Sequence, residues 1–145
     1  MTLAVLPSPV VLPYNIDHVG IAVHDLDTAL AEMHNQYGVE PMSREVIPEQ
    51  GVEEAMIAVG GSHIQLLMPT TDDSPVARFL ERRGEGMHHV AFAVPDIVVA
   101  LAHLRQAGAQ LIDEEPRLGG GGHLIAFVHP KAFAGTLIEL VQVNE

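Results

Sequence analysis

The sequence contains no cysteine. That absence removes disulfide frameworks, thiolate nucleophiles and iron–sulfur or cysteine-zinc sites, and a reducing cytoplasm is the expected compartment. Cationic residues are few: 7 Lys+Arg stand against 19 Asp+Glu, for a formal charge of −12. Nucleic-acid phosphates or an anionic bilayer would repel such a chain, so neither nucleic acid nor membrane is an expected partner. One anionic small ligand, held by a local patch or a metal, stays compatible with that charge. Long unbroken apolar runs are missing too. The apolar start, MTLAVLPSPVVLPYN, has no basic residue and is interrupted by Pro7, Pro9 and Pro13. It reads as an extended leader over residues 1–13, not as a signal peptide or a membrane span.

What is present fits one folded domain over residues 14–145 of the 145-residue chain, with 48% hydrophobic residues and 18% charged. Its organisation is internal repetition. The stretch His18-Val19-Gly20-Ile21-Ala22-Val23-His24-Asp25-Leu26 returns as His89-Val90-Ala91-Phe92-Ala93-Val94-Pro95-Asp96-Ile97. A second match pairs Gly61-Ser62-His63-Ile64-Gln65-Leu66-Leu67 with Gly135-Thr136-Leu137-Ile138-Glu139-Leu140-Val141. The chain therefore reads as two copies of one module, about 14–70 and about 85–145.

Each copy opens with a strand and passes to a helix whose N-cap is Asp25 or Asp96. Leu26, Ala29, Leu30, Met33 and Tyr37 keep helical spacing up to Gly38; Ile97, Ala100, Leu101 and Leu104 do so before Gly108. Strands are expected over about 42–47, 52–59 and 62–68, and again over about 110–114, 123–129 and 136–143, with a short helix near 75–82 between the copies. The pattern is βαβββ twice: an α+β fold of two pseudo-symmetric modules, with helices outside a sheet.

Strand alternation puts His18 on a face with Gly20 and Ala22, and His89 on a face with Ala91 and Ala93, where small neighbours leave room for a ligand. Gln65 and Glu139 occupy matching places in the last strand of each copy. Two equivalent imidazoles, one amide and one carboxylate suit a divalent first-row ion with positions left open. A carboxylate buried within Thr-Leu-Ile-Glu-Leu-Val would otherwise cost several kcal/mol. His88 points to the opposite face from His89 by the same alternation, and His63 shares a face with Gln65. The Gly119–Gly122 run lacks the Lys-Ser/Thr of a phosphate-binding loop and reads as a turn.

The stretches IDHVGIAVHDLDTAL, VIPEQGV, SPVARFLERRGEGMHHVAFAVPDI and AFVHPKAFAGTLIELV resemble the vicinal oxygen chelate (glyoxalase-like) superfamily and, within it, the methylmalonyl-CoA epimerases, over residues 15–143. The resemblance implies that the two βαβββ modules form a curved sheet around a metal cleft, and a divalent ion, cobalt foremost with manganese, nickel or zinc as substitutes, held there by His18, Gln65, His89 and Glu139. It implies a second carboxylate near the metal at Glu49, an acyl-CoA substrate, interconversion of (R)- and (S)-methylmalonyl-CoA, and a homodimer. Glu49 and Glu139 are then the acid–base pair, with Glu45 ranked behind Glu49. Arg117 and Lys131 are the expected phosphate contacts, while Arg82 and Arg83 read as helix-surface residues. One departure is Lys131-Ala132-Phe133-Ala134-Gly135, where family members carry small hydroxyl residues and paired glycines; it bears on acyl-CoA contact. A glyoxalase, an iron dioxygenase using His18, His89 and Glu139, and a metal-free binding module are the competing readings; Gln65 tilts against the dioxygenase and the complete ligand set against the binder.

Overall fold

The computed structural model describes residues 13–143, so the expected leader lies, except for Pro13, outside the described residues. In chain order the elements are β1 (Asn15–Ala22), α1 (Leu26–Tyr37), β2 (Ser43–Ile47), β3 (Val52–Val59), β4 (Ser62–Pro69), α2 (Pro75–Arg83), β5 (Gly86–Ala93), α3 (Ile97–Gln106), β6 (Arg117–Leu118), β7 (Leu124–Val128) and β8 (Ile138–Gln142). Both repeated helices start as their sequence dictates. The Asp25 carboxylate accepts from the Thr28 amide, and Asp96 from that of Val99, each satisfying an amide that the first turn leaves unpaired. Gly38 closes α1 in the left-handed region at φ 70°, where a side chain would be strained. Ser74 caps α2, and Pro75 enters its first turn, where no amide hydrogen is needed.

All eight strands form one curled sheet in the order β2-β3-β4-β1-β5-β8-β7-β6. In each half the first strand runs parallel to the last, β1 beside β4 and β5 beside β8. Among the described residues, the halves of the sheet join only through the antiparallel pair β1–β5. α1 packs Leu26 against Ala55, Ile57 and Leu66, and α3 packs Ile97 and Leu101 against Ala126, Val128 and Leu140. Ile97 and Leu101 are 0% and 2% exposed, and burial of each contributes about 1.5–3 kcal/mol. α2 joins a third cluster through Val76 and Leu80, against Ala22, Ile47, Val52 and Leu67. α1 and α3 thus cover the face of the sheet opposite the polar residues, whereas α2 packs on the polar side, on Val52 and Leu67, next to Glu54 and Gln65.

One expected strand is not there. Residues 110–114 make a single bridge, Leu111 to Val128. The Asp113 carboxylate accepts from the Phe127 amide at 2.8 Å, taking the place of a backbone carbonyl. Pairing with β7 resumes only at Arg117 and Leu118.

Candidate metal centre

The central strands β4, β1, β5 and β8 each contribute one buried polar side chain: Gln65, His18, His89 and Glu139. His18 Nε2 lies 3.0 Å from His89 Nε2 and 3.5 Å from Glu139 Oε1, and His89 Nε2 lies 3.0 Å from the same oxygen. Such edges fit one ion with bonds of about 2.1 Å to each donor. Gln65 completes the set in an informative way. Its Nε2 donates to the Glu54 carboxylate, which leaves Oε1 as a buried acceptor without a hydrogen-bond partner. Buried polar atoms are rarely left so, and an oxygen of this kind is suited to a cation. The donors present therefore fit a divalent ion.

Two β-bulges place the histidines. The β1–β5 register skips Asp17 on one strand and His88 on the other, so each bulged residue immediately precedes a histidine of the cluster. A bulge turns two successive side chains toward one side. Asp17 consequently accepts a hydrogen bond from His18 Nδ1 at 2.7 Å, which directs Nε2 into the site. His88, expected on the opposite face, instead stands beside His89, Nδ1 to Nδ1 at 3.0 Å, and packs edge-on against Phe79. The small residue at Gly20 serves the protein itself: a Cβ there would overlap the His89 ring, so the space expected for a ligand is filled by imidazole. His63 reaches the Asp17 carbonyl through Nδ1 at 2.9 Å and so steadies the first bulge.

Two adjoining cavities open on this cluster, of ≈ 130 and ≈ 280 Å³, sharing Glu54, Gln65, Gly120, Ile125 and Glu139. Glu49, exposed on a 3₁₀ turn at Pro48–Gln50, lines the first with His88, His89 and Arg117. Glu45 lines the second, because β2 ends at Ile47 and the turn swings Glu49 away from the face it would otherwise share. The glycine run crosses over Glu54, where a Cβ at Gly120 would overlap the carboxylate. Its Gly121 amide donates to Glu45 at 3.1 Å, so the run is a cover, not a phosphate cradle. Arg117 is ion-paired with Asp113 at 3.4 Å and its guanidinium lies 5.6 Å from the Phe127 ring centre. Lys131 sits outside these cavities on a 3₁₀ turn, Pro130–Ala132, capped by His129. The departure at Phe133 lines a separate apolar cavity that shares no residue with the cleft beside Glu49.

Glu54 escapes a reading of the sequence, since nothing but its alternation with Val52 and Met56 separates it from half-buried Glu53. Its burial pushes the carboxyl pKa up, against the hydrogen bond from Gln65. Burial likewise lowers His88, helped by its neighbour His89, to about 4. For His18, burial alone would lower the pKa, but Asp17 and Glu139 outweigh it and raise it to about 9. Burial would raise Glu139, but His18 and His89 outweigh it and hold the carboxyl down at about 2.

These opposing shifts give a pH signature. A group raised from 6.5 to about 9 adds stability that is full below pH 6.5 and lost as pH climbs through 9. The depressed Glu139 adds stability above pH 4.5 that is lost only as pH falls through about 2. Chelator-treated protein should therefore lose thermal stability between pH 7 and about 9.5, whereas metal-saturated protein, with the ion in place of the proton, should not. Thermal melts across that range check this; a flat profile for the stripped protein would exclude the His18–Glu139 ion pair.

The comparisons agree with this architecture. A model of the glyoxalase/bleomycin resistance protein/dioxygenase superfamily matches residues 17–127. An ethylmalonyl-CoA/methylmalonyl-CoA epimerase of Cereibacter sphaeroides is 40% identical over 130 residues, covering 88% of this chain and 97% of the relative. The crystal structure of methylmalonyl-CoA epimerase from Mycobacterium tuberculosis matches with a TM-score of 0.89 and 38% identity, covering 98% of this chain and 95% of that one. A methylmalonyl-CoA epimerase in complex with methylmalonyl-CoA and NH4+ matches with a TM-score of 0.85 and 44% identity, covering 88% and 92%. With the matched model spanning most of the chain and a relative covered almost end to end, the chain belongs to the glyoxalase/bleomycin resistance protein/dioxygenase superfamily and, within it, to the methylmalonyl-CoA epimerase family.

Proposed function

We propose that this chain is a metal-dependent epimerase that interconverts (R)- and (S)-methylmalonyl-CoA by moving a proton off and onto one carbon. The observation that carries the reading is that Glu49 and Glu139 line one cavity together with Gln65 and His89, Glu54 being the third carboxylate there and bonded to Gln65. His18, Gln65, His89 and Glu139 would hold the ion. Cobalt is the first choice and manganese, nickel or zinc would suit the same nitrogen and oxygen donors. When bound, it supplies a Lewis acid for the thioester and carboxylate oxygens, where charge grows as the α-proton leaves.

The side chains do the rest. Glu54 holds the Gln65 amide so that its oxygen faces inward. Asp17 fixes the His18 ring by its Nδ1–H. Inversion at carbon needs a proton acceptor on one side and a donor on the other, each within hydrogen-bond reach. Glu139 is assigned to one face and Glu49 to the opposite one. Glu49 is exposed on its turn and can exchange its proton with solvent between turnovers. Arg117, which lines the same cavity, and Lys131, outside it, are assigned to the substrate's phosphates in this reading. A homodimer accompanies this reading, carried over from the resemblance, and a cytoplasmic location accompanies it from the lack of cysteine.

The test is incubation of metal-loaded protein with (S)-methylmalonyl-CoA in D₂O. Solvent deuterium should enter the α-position while the optical signal decays to that of the mixture. Retention of both the original proton and the original configuration would overturn the assignment.

A further inference from the structure

Seven cationic side chains serve a chain of charge −12: Lys131, outside the metal cleft, and six arginines that divide into two groups. Arg44, Arg105 and Arg117 are each in ion pairs with Asp or Glu. Among the described residues, no carboxylate lies within ion-pair distance of Arg78, Arg82 or Arg83. Those three lie on α2 and line one open groove of ≈ 510 Å³, together with Phe79, Pro130 and Leu137. No acidic side chain among the described residues lines it. Pro75 and His88 line both this groove and the cavity that holds Glu49, so the two spaces adjoin.

An acidic protein with three arginines along one groove that have no ion-pair partner among the described residues has a locally positive surface within a repelling field. Guanidinium groups are weakly hydrated and present paired N–H donors that match phosphate oxygens. The groove also offers an aromatic surface. Phe79 has the Arg83 guanidinium 5.8 Å from its ring centre and the His88 ring edge-on at 4.9 Å. A ligand with several phosphates and a flat heterocycle fits such a lining.

We propose that Arg78, Arg82 and Arg83 form the site for the phosphates of the CoA moiety, with the acyl end passing by Pro75 and His88 into the metal cleft. This rests on the epimerase reading for the identity of the ligand, and it moves the phosphates from Arg117 and Lys131 to helix α2. Arg117, already paired with Asp113 beside the metal cleft, is left to the acyl end.

Calorimetric titration separates the two ideas, because binding does not depend on turnover. The probes are coenzyme A and pantetheine, which lacks the phosphates. The proteins, all metal-loaded, are the unaltered chain, Arg78→Gln/Arg82→Gln, and Arg44→Gln/Arg105→Gln. Both double variants lose two positive charges, so overall charge is matched. Coenzyme A should bind at least ~10-fold more weakly to the first variant, since charge-assisted phosphate contacts are lost, and within about twofold of normal to the second. Pantetheine should bind all three alike, which also shows that the cleft is folded. Equal weakening in both variants, unchanged affinity in the first, or no measurable coenzyme A binding to the unaltered chain overturns the proposal. Loss of the epimerase reading would look different: coenzyme A would bind through α2 while methylmalonyl-CoA kept its configuration.

Discussion

Glu49→Gln should lower epimerisation by roughly 10²–10⁴, the usual contribution of one acid–base group. The replacement keeps shape and hydrogen bonding but cannot carry the proton. Its fold should survive, because Glu49 is exposed and its turn is held elsewhere. Gly51, at φ 66°, closes the turn through its amide to the Pro48 carbonyl, and its own carbonyl accepts from the Thr70 amide. Metal content should not change, since Glu49 belongs to none of the close contacts around His18, His89 and Glu139. The decisive measurement is α-deuterium exchange from each enantiomer separately. Exchange from the face served by Glu139 should persist better than exchange from the other. Equal loss from both would argue against one carboxylate per face, and unchanged turnover would take Glu49 out of the chemistry.

His89→Ala should empty the metal site. Its Nε2 lies 3.0 Å from both His18 Nε2 and Glu139 Oε1, so it is the shared corner of the cluster. Loss of an outer hydrogen-bond partner costs a metal about 10–100-fold in affinity, and loss of a donor atom should exceed that. After dialysis against a weak chelator the variant should hold a small fraction of the metal found in the unaltered protein. Elemental analysis per chain, with circular dichroism to show that the sheet persists, checks this. A variant that kept full occupancy would remove His89 from the ligand set.

Much of this site is legible in the sequence because the two copies map onto each other. His18 pairs with His89, and Gln65 with Glu139, by repetition alone, and the capped helices after Asp25 and Asp96 follow from local chemistry. What stays hidden depends on register. Nothing in Ile16-Asp17-His18 or Met87-His88-His89 announces that the strands skip a residue when they pair, so strict alternation misplaces His88 and conceals Asp17. Residues 110–114 mislead for a related reason. Their apolar start invites a strand, but the Asp113 side chain takes the hydrogen bond a strand would have made. The arginines of α2 show the limit of local reading: on the helix alone they look like solvated surface, and only the fold sets Pro130 and Leu137 across from them.

The single seam between β1 and β5 has a consequence for charge. A half-length chain pairing with its own copy across that seam would be bound by symmetry to offer two amides or two carboxylates beside its two imidazoles. Two carboxylates would neutralise a divalent ion, and two amides would leave both its charges unbalanced. Joining the halves in one polypeptide releases that constraint and lets position 65 differ from position 139. With Gln on one side and Glu on the other, the proposed donor set leaves one positive charge uncompensated. In a protein that is otherwise strongly anionic, such a residual charge would favour the arrival of a negatively charged thioester acid.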